Sequence, residues 1–388
     1  MRVLELTLTN FRNYRHQQVA LPPGRTLVLG ANAQGKSNLL EALFLLATTK
    51  SPRALTDAEL INDEARDTPQ PVARLAGVAE RRGGDVTVEI AIVGRPGAHG
   101  MLASKRLKVN GLPRRQQDAV GQINAVLFTT DDLALVTGSP SERRRFLDTM
   151  LSQTDRTYAA ALSRYGKVLT QRNALLHRIQ EGLSEPDELQ FWDDELAKDG
   201  ALIACLRARA MESVASRAAE AQQRLGGGER LALRYEPKFA PGWDAGRLAS
   251  ASTEAARTAL REACEAARAR DIGAGVTLTG PHRDDVAIEL TGRPAASYAS
   301  RGQQRTIALA LRLAEAARLR DETGEEPVLL LDDILSELDE ERRATVFESV
   351  EADQCVITST DADRFDAAFL ASAAVFVVRA GEIARRGD

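Results

Sequence analysis

Apolar residues recur along this chain in two rhythms. In the first third they alternate with polar residues or cluster in short runs, the pattern of strands. Leu4–Leu8, Thr26–Gly30, Val72–Val78, Val86–Val93, Arg106–Val109 and Ile123–Phe128 are the predicted strands, with Gly83-Gly84 as a hairpin turn. One clear helix, Ser37–Thr48, stands among them, and Ser51–Asn62 reads as a loop leading away from it. From Ser141 the spacing turns helical. Ser141–Ile179 is one helical stretch with Gly166 as a candidate break, Glu188–Leu225 is another ended by Gly226-Gly227-Gly228, and Thr253–Arg270 is a third. A short strand, Leu231–Tyr235, lies between the last two. From Val276 strands and helices alternate again, with a strong helix from Thr306 to Glu315, an apolar strand from Val328, and a closing Val375–Val378 with a turn at Ala380-Gly381.

This order predicts an α/β head built from residues 1–140 and 275–388, split by an inserted, mainly helical lobe over 141–274. The longest inserted helix, about 38 residues, would reach on the order of 57 Å. That makes a compact lobe or short arm. Sustained heptads, which a long coiled coil needs, are absent.

Composition narrows the class. The 388 residues allow two domains, and 44% hydrophobic with 27% charged residues is ordinary globular usage. No apolar run approaches the 18 residues that suggest a membrane span. Met1-Arg2-Val3-Leu4-Glu5 reads as a strand and not as a signal peptide. Cys205, Cys264 and Cys355 are isolated, which suits a reducing cytoplasm and gives no zinc or disulfide pattern. The net charge of −4 looks wrong for a nucleic-acid binder, but local distribution decides. Leu102–Gln117 holds Lys105, Arg106, Lys108, Arg114 and Arg115 and no acid, and Ser141–Gln180 holds eight Lys/Arg against three acids.

The candidate chemistry sits at opposite ends of the chain. Gly30-Ala31-Asn32-Ala33-Gln34-Gly35-Lys36-Ser37 follows a strand and opens a helix, in the pattern of a phosphate-binding loop. Its glycines permit backbone angles that let N–H groups converge on phosphate oxygens. Lys36 supplies a point charge to the outer phosphates, Ser37 a hydroxyl for Mg²⁺, and the helix dipole favours the anion. The second half is Val328–Leu331 ending at Asp332 and Asp333. Asp332 would hold the metal, and Asp333 would orient or deprotonate the attacking water. A third element, Ser300-Arg301-Gly302-Gln303, precedes the Thr306–Glu315 helix, where hydroxyl, N–H groups and dipole meet an anion. In ABC-type ATPase heads such an element contacts the γ-phosphate held by a second copy.

Three further stretches are Leu8-Thr9-Asn10-Phe11-Arg12-Asn13-Tyr14, Gly138-Ser139-Pro140-Ser141-Glu142-Arg143-Arg144-Arg145-Phe146-Leu147-Asp148, and Gly280-Pro281-His282-Arg283-Asp284-Asp285. With them, the chain resembles over essentially its whole length the RecF family of bacterial recombination and gap-repair ATPases, related to SMC-type heads. The resemblance implies an ABC-type P-loop head that binds ATP and Mg²⁺, dimerises with ATP, and hydrolyses it slowly under stimulation by DNA. It implies binding to double-stranded DNA near single-strand gaps, RecR with RecO as partners, and RecA loading in repair, replication restart and the SOS response. Catalytic roles fall on Lys36, Asp332, Asp333 and Ser300, and nucleotide contacts on Gly30–Ser37, Ser300, Gly302 and Gln303.

Several residues stay open between two roles. Arg12 and Asn13 touch the base or ribose, or simply form a strand-end turn. His282 is catalytic or part of a structural turn. Arg143, Arg144 and Arg145 bind DNA or the acids of a neighbouring helix, and Arg53, Lys105, Arg106 and Lys108 are further DNA candidates. The family pattern is also departed from. Asp333 stands where related heads often carry Glu, Phe128-Thr129-Thr130-Asp131-Asp132 lacks the metal-sensing Gln, and Ser359-Thr360 replace the switch His. These departures favour a slow switch over a fast motor.

Overall fold

The computed structural model describes residues 1–386 except 99, 227, 338–342, 344–345 and 347–352. Two compact units result, one of residues 1–132 with 315–388 and one of residues 133–314. Unit 1 begins with strands β1 (Arg2–Phe11), β2 (Tyr14–Ala20), β3 (Gly24–Leu29), β4 (Val72–Glu80), β5 (Val86–Gly97), β6 (Gly100–Val109), β7 (Leu112–Arg114) and β8 (Ala125–Thr129). Unit 2 holds β9 (Leu231–Glu236), β10 (Asp285–Leu290) and β11 (Arg293–Pro294). The chain then returns to unit 1 with β12 (Val328–Asp332), β13 (Gln354–Ser359), β14 (Ala374–Arg379) and β15 (Glu382–Arg385).

Unit 1 is two sheets with a helix between them. The first sheet is antiparallel, in the order β2-β1-β4-β5-β6-β7. The second runs β15-β14-β3-β13-β12-β8, and all of its strands but β15 pair in parallel. Helix α1 (Lys36–Thr48) touches strands of both sheets. Its run Leu39–Thr48 is buried throughout, as expected of a helix apolar on every side. Leu6, Leu8, Leu40, Leu45, Ile90 and Leu330 belong to one continuous core.

Unit 2 is chiefly helical, with long helices Pro140–Thr154, Arg156–Gln180, Leu189–Gly226 and Thr253–Ala274 beside the small sheet β11-β10-β9. The helical stretch expected over Ser141–Ile179 breaks at Asp155 and not at Gly166. Asp155 adopts an extended backbone and its carboxylate accepts the N–H groups of Thr157 and Tyr158, so it caps the second helix. Gly166 sits mid-helix beside open space. Gly227 of the expected glycine stop lies outside the described residues. Within Ser51–Asn62, expected as loop, Asp57–Leu60 forms a turn of 3₁₀ helix capped by Thr56 and Glu59. Among the described residues no helix is long and apolar enough to cross a membrane.

Candidate nucleotide site

The glycine loop follows β3 directly and ends at the first turn of α1. Ala33 and Gly35 have φ of 64° and 119°, so the loop curls through left-handed backbone. A side chain at Gly30 would meet the Val378 carbonyl at 2.6 Å, and one at Gly35 would meet Asn13 at 2.6 Å. Glycine is therefore required sterically at both positions. No side chain caps α1, so its first N–H groups remain for an anion.

Lys36 is nearly buried, and its ammonium donates to the carbonyls of Gly30 at 2.7 Å and Ala31 at 3.0 Å. Burial lowers its pKa, while Asp333 and Asp332 act in the opposite sense. The Ser37 hydroxyl donates to Asp332 Oδ1 at 2.8 Å, joining residues 295 positions apart. Thr358 donates to the same oxygen at 2.8 Å and accepts from the Asp333 N–H at 3.0 Å. β12 and β13 pair Asp332 with Thr358 in register, which sets this geometry. Asp333 then leaves the strand with φ 54°, a strained angle of the kind that collects at working sites. The donor set fits Mg²⁺: the Asp332 carboxylate and the Ser37 hydroxyl are hard oxygens that would hold it. A helix start without a side-chain cap beside a buried ammonium likewise suits a triphosphate.

Residues from elsewhere in unit 1 brace the loop. Gln34 accepts the Ala380 N–H at 2.7 Å through its side chain and the Gly381 N–H at 3.1 Å through its carbonyl. Asn13 donates to Gln34 O at 2.8 Å and accepts from Asn38 at 2.8 Å, and Tyr14 donates to Gly35 O at 2.8 Å. Burial pushes the Tyr14 phenol upward, so it stays a donor. Arg12 does not point freely at a ligand. Its guanidinium grips Glu41 bidentately at 2.9 and 2.8 Å and donates to Glu59 O. Arg53 reaches Glu41 and Asn38 at 3.1 Å each. Beside these residues lies a polar cavity of about 690 Å³ lined by Arg12, Asn13, Asn38, Glu59, Asn62 and Asp63, among others.

Burial alone would raise the Glu41 carboxyl, but hydrogen bonds from Arg12 and Ser51 and the Arg53 charge hold it below its usual 4.5. A carboxyl held low stabilises the fold above its unfolded pKa and loses that contribution as pH falls through the folded value. Glu41→Gln is expected to cost about 2 kcal/mol at neutral pH. In calorimetry the native and variant curves should converge as pH drops below 4.5.

The Ser300 element lies in unit 2, at the start of helix Arg301–Thr323. Ser300 is the cap: its carbonyl accepts from Gln304, its hydroxyl from the Gln303 N–H at 3.3 Å, and the Gln303 side chain accepts from the Ser300 N–H at 2.6 Å. This is a reciprocal capping box. Gly302 falls inside the first turn, not before it as expected, because the cap forms already at Ser300. Glu229 accepts from the Gln303 amide.

The other basic candidates divide by what holds them. Arg143 grips Asp285 at 2.7 and 3.0 Å and Gly138 O at 2.8 Å, and Arg144 donates to the Asp284 carbonyl at 2.7 Å. Two separate sequence motifs thus form one contact. Arg145 remains exposed. His282 sits between Tyr165 OH at 2.7 Å and Thr277 O at 2.9 Å. Burial lowers its pKa to about 4, which leaves it neutral in a structural turn. Lys105 faces inward, held by Thr49 O at 2.8 Å and Asp57 at 2.5 Å, whereas Arg106 and Lys108 are exposed.

A phosphate-type glycine loop and an apolar strand ending at Asp332 and Asp333 on this two-sheet scaffold mark an SMC-type head of the ABC ATPase class. A family profile described as the RecF/RecN/SMC N terminal domain matches residues 2–383. The chain is 42% identical over 395 residues to the DNA replication and repair protein RecF of Chloroflexus aurantiacus, covering 99% of each. It is 44% identical over 383 residues to the protein of that name from Herpetosiphon aurantiacus, covering 95% of this chain and 96% of the relative. A solved structure of the recombination mediator protein RecF-ATPrS in the RecFOR pathway superposes with a TM-score of 0.86 at 30% identity, covering 100% of this chain and 98% of that one. The Smc head domain of Pyrococcus furiosus, with TM-score 0.52 and 16% identity over 99% of this chain and 96% of the other, shares the fold. The chain belongs to the RecF family.

Proposed function

We propose that this protein is an ATP-gated DNA repair and replication-restart factor that closes as a homodimer on duplex DNA beside single-strand gaps. The observation that carries this reading is the Ser37–Asp332 contact at 2.8 Å, which gathers both ends of the chain around Lys36. ATP lies with its phosphates along Gly30–Ser37, and its nucleoside enters the cavity beside Asn13 and Asn38. Arg12 acts there through Glu41, not by direct contact. Mg²⁺, held by Ser37 and Asp332, would neutralise charge on the outer phosphates. Lys36 exchanges its loop carbonyls for phosphate oxygens. Asp333 orients the attacking water. Ser300, Gly302 and Gln303 of a second copy meet the γ-phosphate, so closure excludes water and aims donors where charge develops. Hydrolysis is slow and DNA-stimulated, and loss of the γ-phosphate opens the dimer. The RecFOR pathway named for the solved relative supports RecR and RecO as partners; delivery of RecA in the cytoplasm is the outcome of this reading.

Light scattering tests this reading. The native chain should be dimeric with ATP and Mg²⁺ and monomeric with ADP. Ser300→Arg should remain monomeric in both, because a bulky cation replaces the helix cap that faces the phosphate. A dimer independent of nucleotide would overturn the gating.

A further inference from the structure

The antiparallel sheet of unit 1 has an outer face that the nucleotide site does not use. Strand alternation turns Ala73, Leu75, Val88, Ile90 and Leu107 into the core and their neighbours outward. Register then arranges the outward residues in two rows across four strands. Thr9 faces Arg74, Arg74 faces Ala91, and Ala91 faces Arg106. Alongside, Thr7 faces Ala76, Ala76 faces Glu89, and Glu89 faces Lys108. The alanines form a low floor between longer side chains, leaving a trough of about 640 Å³.

Its cations are uncommitted. Several basic residues of unit 1 are engaged by acids, as Arg2 is by Glu80, Arg12 and Arg53 by Glu41, and Lys105 by Asp57. Among the described residues, the exposed side chains of Arg74, Arg106 and Lys108 make no ion pair or hydrogen bond. Glu89 is the acid of the trough lining. Cations left unpaired this close together repel one another, and a polyanion relieves that repulsion.

We propose that this trough is the track for one phosphodiester strand of duplex DNA, with Arg74, Arg106 and Lys108 on its phosphates. The proposal rests on the DNA-repair reading above and assigns it a surface. Arg74 and Arg106, two strands apart, lie about 10 Å from each other, and Arg106 and Lys108 about 7 Å along β6. Long side chains at those separations reach successive phosphates of one backbone. Thr9 and Gln70 add neutral polar groups that contact phosphate, which position without reading sequence. Arg74 lies outside the basic run of the sequence, and only the strand register brings it here.

The test is duplex-DNA binding by the full chain, followed by anisotropy with a nonhydrolysable ATP analogue and Mg²⁺ across a salt series. Replacing Arg74, Arg106 and Lys108 together by alanine should weaken binding and flatten the plot of log affinity against log salt by about 0.9 per lost phosphate contact. Glu89→Gln should act oppositely and tighten binding, which a merely misfolded variant would not do. Nucleotide affinity should stay native in both. If the native chain binds DNA and the triple variant keeps its salt slope, or Glu89→Gln weakens binding, the trough assignment falls. If the native chain has no affinity for duplex DNA, the repair reading itself falls.

Discussion

Asp333→Asn should bind ATP and dimerise as the native chain does, but hydrolyse it about 10²–10⁴-fold more slowly. The argument is geometric. Asp332 accepts from Ser37 and Thr358 through a single oxygen, and the proposed mechanism assigns it to the metal. Asp333 is the next residue, turned out of the strand at φ 54° and fixed by its N–H on Thr358. In the proposed mechanism it is the carboxylate that orients the water. The amide keeps the shape and cannot take the proton. A single-turnover measurement with radiolabelled ATP, run beside light scattering, separates hydrolysis from closure. Equal turnover in native and variant would remove the enzyme reading and leave a scaffold that uses ATP only to assemble. Thr358→Val should give a milder loss, because it releases both Asp332 and the Asp333 backbone at once.

Arg207→Met is the second large effect, on stability. Arg207 is 2% exposed. It donates to Asp148 at 2.7 and 3.1 Å, to the Pro281 carbonyl at 2.6 Å, and to Asp284 at 3.3 Å. Burial works against its charge, yet Asp148, Tyr158 and Asp284 hold the guanidinium well above its usual pKa. Asp284 also accepts from Tyr235 and from the Lys238 N–H. Removing the cation leaves two carboxylates around an apolar side chain, which costs about 3–5 kcal/mol. The protein's two tryptophans, Trp192 and Trp243, both lie in unit 2, so fluorescence-detected urea unfolding reads this unit selectively. The deficit should shrink as pH falls, because protonation neutralises the acids that lost their partner. A deficit that is constant with pH would mean that lost packing, and not unpaired charge, carries the cost.

The sequence made the chemistry legible where it is local. The glycine loop, the strand ending at Asp332-Asp333 and the Ser300–Gln303 cap each lie within ten consecutive residues, so their spacing encodes their geometry. The helices of unit 2 were legible for the same reason. What lay hidden depends on partners far along the chain. Glu41 shows only as one acid in an apolar helix, and nothing nearby announces Arg12 and Arg53. Arg143 reads as part of a basic run until Asp285, 142 positions later, claims it. β2, Tyr-Arg-His-Gln-Gln-Val-Ala, is too polar to read as a strand; pairing with β1 makes it one. The Asp155 break rests on one side chain accepting two N–H groups, while the helical periodicity runs on across it. Alternation along β6 is a two-residue period, and it alone separates Lys105 from Arg106 and Lys108.

The strand that delivers the phosphate loop, β3, has both of its neighbours, β13 and β14, in the returning segment of the chain. During synthesis the ribosome therefore releases Lys36 more than 300 residues ahead of the two strands that flank it. Until then β3 is an unzipped ribbon, its loop lacks the Ala380-Gly381 brace, and Ser37 has no Asp332 to meet. A prematurely terminated polypeptide would carry the nucleotide motif and still be inert toward fuel. The loop is therefore completed only when the returning strands β13 and β14 join the sheet on either side of β3.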